Sequence, residues 1–514
     1  MGFYPAAAEG YAEMTKALAD KPSRPSLPQQ LHRMLEHPVR LHQKVGSLDP
    51  WVVQGTIETV RGNLLIASGF PAPIGSVCRI DLGHHRWLEA EVVGFQQDQT
   101  LLSPCESPLG IQPGQSVHPW RFQPTVDFCP SLLGRIIDPS GRPLDGLPAP
   151  SYITPIAIEA APVAPMLRPV IDQPLATGIR AIDTLQTIGR GQRVGILAGA
   201  GVGKTTLLGM LARGVQADVV VIGLIGERGR EVKEFLQQDL GVNSQQRVVS
   251  VVATSDQSAC QRVRAAKSAT AIAEQYRDQG KHVLLLIDSL TRLAMAQREI
   301  GLAAGEIPMA RGYPPSVLSM LPALLERAGT SPRGTITAFY TVLIEGDDPN
   351  EPLADHLRSL LDGVLLLDRS LAARGHFPAI DPLKSLSRLM DSVVSPEKMA
   401  LAQRLRAAIA LYKDHEDLIQ MGAYSPGSNP ALDLVVPMEP LWNRFLQQGR
   451  NESFSMEESW RQLQQLIDSL EQQGAPIPGS FEPRPGSATQ QDLRWSRRLP
   501  PDAWPELPDR ESAP

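Results

Sequence analysis

The sequence predicts an α/β protein in three parts: an N-terminal small β-barrel, a central domain on a mainly parallel sheet, and a helical C-terminal domain. Three observations carry that expectation. Residues 38–120 hold short alternating or apolar runs separated by Gly, Pro and Asn, the signature of a small barrel. Residues 170–395 contain buried-type strands alternating with helical periodicity, as in a parallel sheet covered on both faces. Residues 396–473 change to helical stripes.

Composition bounds the reading. A chain of 514 residues predicts about three domains at ~150 residues each. Hydrophobic content of 42% and charged content of 20% suit sizeable cores. The net charge of −6 disfavours bulk binding to nucleic acid, which wants a basic face. None of the four cysteines forms a C-x-x-C pair, so free thiols in a reducing compartment are expected rather than a zinc site. The start, Met1-Gly-Phe-Tyr-Pro5, lacks a basic stretch followed by an apolar core, and no apolar run is long enough to span a bilayer. A cytoplasmic chain is expected.

Taken in order, residues 1–37 form a leader in which Tyr11, Met14 and Leu18 recur at helical spacing. Docking of a partner and a mobile terminus are both open for it. Barrel strands are expected at 52–60, 64–66, 76–80, 87–93 and 100–102. Residues 121–169 connect, with a strand and turn in 133–146 and then a proline-rich extended run. The central domain should place strands at 194–197, 219–224, 248–253, 283–287 and 335–341, and helices at 205–213, 230–240, 258–279 and 316–328. Farther on, residues 399–418 carry an apolar stripe, and Ser455-Met-Glu-Glu458 is a capping-box pattern opening another helix. Residues 474–514, rich in Pro, Gly and Ser, read as a disordered tail.

The chemistry concentrates after the first central strand. Ala198-Gly199-Ala200-Gly201-Val202-Gly203-Lys204-Thr205-Thr206 lies between a strand and a helix, the arrangement of a P-loop. Its glycines let backbone N–H groups cradle phosphate oxygens, and the helix adds its positive end. Lys204 is placed for the β- and γ-phosphates and Thr205 for Mg²⁺. Ala198 stands where the pattern usually opens with Gly, and an ordinary glycine-rich turn is the competing reading. The apolar strand ending in Asp288 has the Walker B form, whose carboxylate orders Mg²⁺ through water. In Gly226-Glu-Arg-Gly-Arg-Glu231, Glu227 can polarise a water beside the γ-phosphate. Charges favoured by a helix dipole explain that stretch equally well on its own. Arg388, in a loop-like segment, suits a finger acting in trans, although most surface arginines are simply solvated.

Together, Ala198–Thr205, Gly226–Glu231, Leu286-Ile-Asp288-Ser-Leu-Thr-Arg292, Gly312-Tyr-Pro-Pro-Ser316, Phe377-Pro-Ala-Ile-Asp381 and Ser387-Arg388 resemble the catalytic subunits of rotary ATPases and their export relatives. Gly189-Arg-Gly-Gln-Arg193, Phe339-Tyr-Thr-Val-Leu-Ile-Glu-Gly-Asp-Asp348 and Met421-Gly-Ala-Tyr424-Ser-Pro-Gly427 narrow the resemblance to the type III protein-export ATPases of flagella or injectisomes. It covers roughly residues 38–436. It implies a RecA-like core that binds ATP and Mg²⁺. Within it, Gly199–Thr206 and Lys204 hold phosphates, Thr205 and Asp288 serve the metal, and Glu227 activates water. Arg228 is a phosphate-side partner, Phe377 stacks on adenine, and Arg388 is the finger reaching the neighbouring subunit. It also implies a homohexamer, stator and central-stalk partners, export chaperones and substrates, and peripheral association with a membrane export gate. The form of the loop and the residues before it look more like the flagellar branch. A catalytic subunit of a proton-translocating ATP synthase, an RNA-translocating hexameric helicase and a degenerate scaffold are the other readings. The Gly-Ala-Tyr-Ser-Pro-Gly segment, the acidic balance and the complete set Lys204, Glu227, Asp288 and Arg388 weigh against each in turn.

Overall fold

A computed structural model describes residues 53–241, 245–309, 312–344 and 351–471. The expected leader and tail lie outside the described residues, as do residues 345–348 of the stretch that starts at Phe339.

Six antiparallel strands close the N-terminal barrel: β1 (Gly55–Arg61), β2 (Leu64–Ser68), β3 (Val77–Asp81), β4 (Trp87–Gln96), β5 (Gln99–Pro104) and β6 (Ser116–Arg121). Their order is β1-β2-β5-β4-β3-β6, and β6 returns to pair β1. Alternating residues such as Ile57, Leu65, Ile80, Leu88, Val92 and Leu102 fill the interior. Sequence reasoning missed β6. Only Val117 of that strand is fully buried, and Pro119 and the half-exposed Trp120 break its alternation.

The central sheet uses β7 (Ile136–Ile137), β8 (Arg193–Ala198), β9 (Val219–Glu227), β10 (Val248–Thr254), β11 (His282–Asp288), β12 (Thr335–Leu343), β13 (Gly363–Leu366) and β14 (Leu386–Ser387). They lie in the order β14-β13-β8-β12-β11-β9-β10-β7, all parallel except the edge strand β14. Around them stand α1 (Lys204–Gly214), α2 (Gly229–Glu234), α3 (Ala259–Asp278), α4 (Leu290–Ala303), α5 (Pro315–Leu325) and α6 (Pro352–Leu360). Neighbouring residues of one strand serve opposite cores. Ile222 and Phe339 pack with α1, whereas Val221 and Tyr340 pack with α3.

Several departures from expectation occur here. Strands β13 and β14 were not foreseen, because each is too short for periodicity to register. The helices α4 and α6 were not foreseen either. The expected helix over 230–240 is α2 followed by a π turn at Phe235–Asp239. The segment around Arg388, expected as a loop, follows directly on β14.

Beyond the sheet, α7 (Pro396–Gln420) and α8 (Met456–Glu471) pack with two shorter helices against the α1 side, where Trp442, Leu463 and Ile467 share a core with Leu207 and Leu211. The Ser455 hydroxyl accepts the Glu458 N–H at 3.1 Å, which caps α8 as its sequence predicts. No helix of the described residues is long and apolar enough to cross a membrane.

Candidate functional site

Parallel pairing leaves the carboxyl ends of β8, β9, β11 and β12 at one edge of the sheet, where open α/β sheets bind ligands. Strand β8 ends at Ala198, which is fully buried and still paired in register with Leu343. The position opening the loop is therefore strand, and a methyl group is tolerated there. The left-handed turns come later, at Gly201 (φ 77°) and Gly203 (φ 96°), where glycine is needed. Helix α1 starts at Lys204.

The Lys204 ammonium lies between two carboxylates. It contacts Asp288 Oδ1 and stands 3.4 Å from Glu227 Oε1. Asp288 is the last residue of β11, nearly buried, and accepts the Thr341 hydroxyl of β12 at 2.6 Å. Glu227 ends β9 after a register shift between Ile225 and Glu227. Gly226 makes that shift with φ 71°, and a Cβ there would meet the Arg292 side chain at 2.8 Å. Ser289 caps α4 by accepting the Arg292 N–H. That first turn carries the Arg292 guanidinium to the Glu227 carboxylate, at 3.2 Å and 3.5 Å. Burial pushes the Glu227 carboxyl above its ordinary range; Lys204 and Arg292 act against the shift and Asp288 adds to it.

Phe377 borders the loop on the side of the C-terminal helices. Its ring lies 3.4 Å from where a Cβ of Gly203 would be, the residue is 43% exposed, and its carbonyl accepts the Gln448 N–H at 2.8 Å. Arg369 donates to the Ala200 carbonyl at 3.1 Å.

Two expected residues stand apart from this cluster. The Arg228 side chain is 78% exposed and pairs with Glu231 at 3.2 Å. Arg388 follows β14 and donates to the Arg358 carbonyl at 3.1 Å, lining an open cleft of about 660 Å³ with Tyr313, His356 and Arg358. Its strand is pinned by Ser387, which donates to the Thr187 carbonyl at 2.8 Å and accepts from Gln192 at 3.1 Å. Sequence reasoning did not assign Arg292, Thr341 or Arg369 to the site. For Arg292 the signal was present, four residues past Asp288 at the start of a helix.

Comparison with known proteins accords with this geometry. A family model described as the ATP synthase alpha/beta family, nucleotide-binding domain, matches residues 178–387. A second, the T3SS EscN ATPase C-terminal domain, matches residues 394–465. The flagellum-specific ATP synthase of Bacillus subtilis is 46% identical over 425 residues, 82% of this chain and 97% of the relative. The SPI-2 type 3 secretion system ATPase of Salmonella typhimurium is 48% identical, over 83% of this chain and 98% of the relative. Among solved structures, the assembled ATPase EscN of the enteropathogenic E. coli type III secretion system superimposes with a TM-score of 0.77 at 44% identity, covering 80% of this chain and 100% of that one. The same protein in complex with its central stalk EscO gives 0.74.

Proposed function

The chain belongs to the type III protein-export ATPases, within the ATP synthase α/β family, and hydrolyses ATP; from that premise we propose how its residues divide the work and what the energy drives. The observation that carries the reading is Lys204 held between Glu227 and Asp288 at the phosphate end of the sheet. An entering triphosphate meets the backbone N–H groups of Gly199, Ala200, Gly201, Val202, Gly203 and Thr206 and the first turn of α1. Lys204 then leaves the carboxylates for the β- and γ-phosphates. Glu227, released from the ammonium, takes a proton from the attacking water as its oxygen bonds to the γ-phosphorus. The bond from that phosphorus to the β-bridging oxygen breaks, and ADP and phosphate leave.

The Thr205 hydroxyl and the Asp288 carboxylate are hard oxygen donors of the kind Mg²⁺ takes, and Thr341 orients the second of them. Held there, Mg²⁺ would supply charge neutralisation on the phosphates. Arg292 opposes the upward shift of the Glu227 carboxyl and aims it. Arg228 serves as a phosphate-side partner after a rotamer change that breaks its pair with Glu231. Phe377 offers a π face to adenine.

Arg388 completes the site of a neighbouring copy, so the active form is a homohexameric ring. The exposure of Arg388 at an open cleft supports this, as does the assembled state of EscN. A central stalk protein, a stator, export chaperones with their substrates, and a membrane export gate are the proposed partners, and the ring works in the cytoplasm against the inner face of the membrane. We favour flagellar export over an injectisome on the Gly189–Arg193 stretch and the Ala-Gly-Ala-Gly-Val-Gly-Lys loop. Complementing strains that lack either export ATPase decides this. Restored motility without restored injectisome secretion is expected, and the reverse overturns it. For the chemistry, Glu227→Gln should bind ATP and fail to turn it over; a variant with normal turnover removes Glu227 from its role.

A further inference from the structure

Two cysteines meet where the barrel joins the ATPase core, and the proposed chemistry uses neither. Cys105 follows β5; Cys260 is the second residue of α3. They are 155 positions apart in sequence, yet their sulfurs are 2.9 Å apart and both side chains are buried. The backbones that carry them are tied together. The Ser258 hydroxyl, at the start of α3, donates to the Cys105 carbonyl at 2.9 Å, and the Cys105 N–H donates to the Glu89 carbonyl of β4 at 2.8 Å.

The surroundings are polar for so enclosed a place. Arg264, one turn beyond Cys260, is 3% exposed. It faces Glu91 at 3.7 Å and Glu89 at 3.8 Å, and its Nε and Nη2 have no hydrogen-bond partner among the described residues. Glu91 Oε2 also lies 3.7 Å from Cys260 Sγ. The Arg264 charge favours a thiolate at Cys260 and the Glu91 carboxylate opposes one. Of the other two cysteines, Cys78 belongs to the barrel core and Cys129 contacts Ser131 at 3.1 Å.

We propose that Cys105 and Cys260 are a modification site: a reversible disulfide that fastens the barrel to the catalytic core when an oxidant of the peroxide class reaches it. One thiol gives up its proton, and its sulfur attacks a peroxide oxygen, forming a sulfenic acid as the O–O bond breaks. The second thiolate attacks that sulfur, the S–S bond forms, and the S–O bond breaks with loss of hydroxide. Two thiols and one hydrogen peroxide become one disulfide and two waters. The neighbouring Cys105 thiol and burial hold the Cys260 thiol well above its usual value, so loss of its proton is the slow part of the sequence. The link would join β5 to α3, the helix packed on β9 and β11, whose ends carry Glu227 and Asp288.

The test treats the full native chain with hydrogen peroxide, then alkylates in denaturant and reads intact mass and linked peptides. Alkylation of two thiols instead of the four present, with a peptide joining Cys105 to Cys260 that dithiothreitol releases, is the expected result. The oxidised chain should also unfold at a higher urea concentration than the reduced one. Four alkylated thiols under excess peroxide, separate sulfinic acids on the two residues, or a link between two chains would overturn the proposal. Cys105→Ser and Cys260→Ser should each abolish the link; the measurement on the unaltered chain stands even where a variant folds poorly.

Discussion

In the proposed chemistry Lys204 and Arg388 mark two ends of one nucleotide site, and the chain treats them oppositely. At the Lys204 end every charge has an answer within the chain: the ammonium has Asp288 and Glu227, Glu227 also has Arg292, and Asp288 also has Thr341. At the Arg388 end a guanidinium meets one backbone carbonyl among the described residues and opens onto a cleft. The first arrangement is held by charges that only a competing polyanion displaces. The second is a group positioned by its strand and left for something outside the chain. A pocket whose electrostatics close internally suits the proposed binding site, and an arginine set on a pinned strand at an open cleft suits the proposed interface.

The largest expected effect separates these two ends. Arg388→Ala should lower turnover by ~10³–10⁵, the range for arginine fingers, while leaving nucleotide affinity close to unchanged. Steady-state turnover and equilibrium binding of a fluorescent ATP analogue measure the two quantities. Loss of binding would place Arg388 in its own subunit's pocket. Glu227→Gln comes next, at ~10²–10⁴ in turnover. Mixing these two inactive variants sharpens the comparison further. Some interfaces then join an intact Glu227 to an intact Arg388 from the other chain, and activity should return in part. No recovery at any mixing ratio would argue that both residues act within one chain.

The two ends also differed in how far sequence exposed them. The barrel and the parallel sheet were legible because their apolar periods differ, and Lys204, Glu227 and Asp288 were legible because each ends or follows a strand. Strands β13 and β14 were not, since four and two residues carry no period. Yet β14 is what positions Arg388, through Ser387, Gln192 and Thr187 from far along the chain. Arg292 was missed for another reason. Its role depends on Gly226 bending β9 toward α4, and that closeness exists only once the strands are paired.

Arg292 yields a smaller and pH-dependent effect. The folded state raises the Glu227 carboxyl, chiefly by burial, so its protonated form is favoured in the fold relative to the unfolded chain. The group's contribution to stability therefore falls as pH rises through that shifted window. Turnover needs the ionised form, so its acid limb lies above the ordinary carboxylate range. Arg292→Gln removes a charge that opposes the shift. The acid limb should move to higher pH, so turnover on that limb should drop and a higher pH should recover much of the loss. A pH–rate profile checks this; a uniform drop at every pH would mean that Arg292 acts on the phosphates instead.

Phe377 should give the smallest effect, and it probes the border of the closed end. The ring lies beside Gly203, the residue is partly exposed, and the Gln448 N–H holds its backbone. Stacking of an aromatic pair adds about 0.5–1.5 kcal/mol beyond burial, so Phe377→Leu should raise the KM for ATP by roughly two- to tenfold with kcat nearly constant. Phe377→Tyr keeps the π face and should leave KM unchanged. The base identity supplies the discriminating arm. A ring that stacks rather than reads hydrogen bonds loses similar affinity for ATP and GTP on replacement by Leu. A loss confined to ATP would mean that Phe377 shapes a base-specific pocket, and the closed end would then recognise more of the nucleotide than its phosphates.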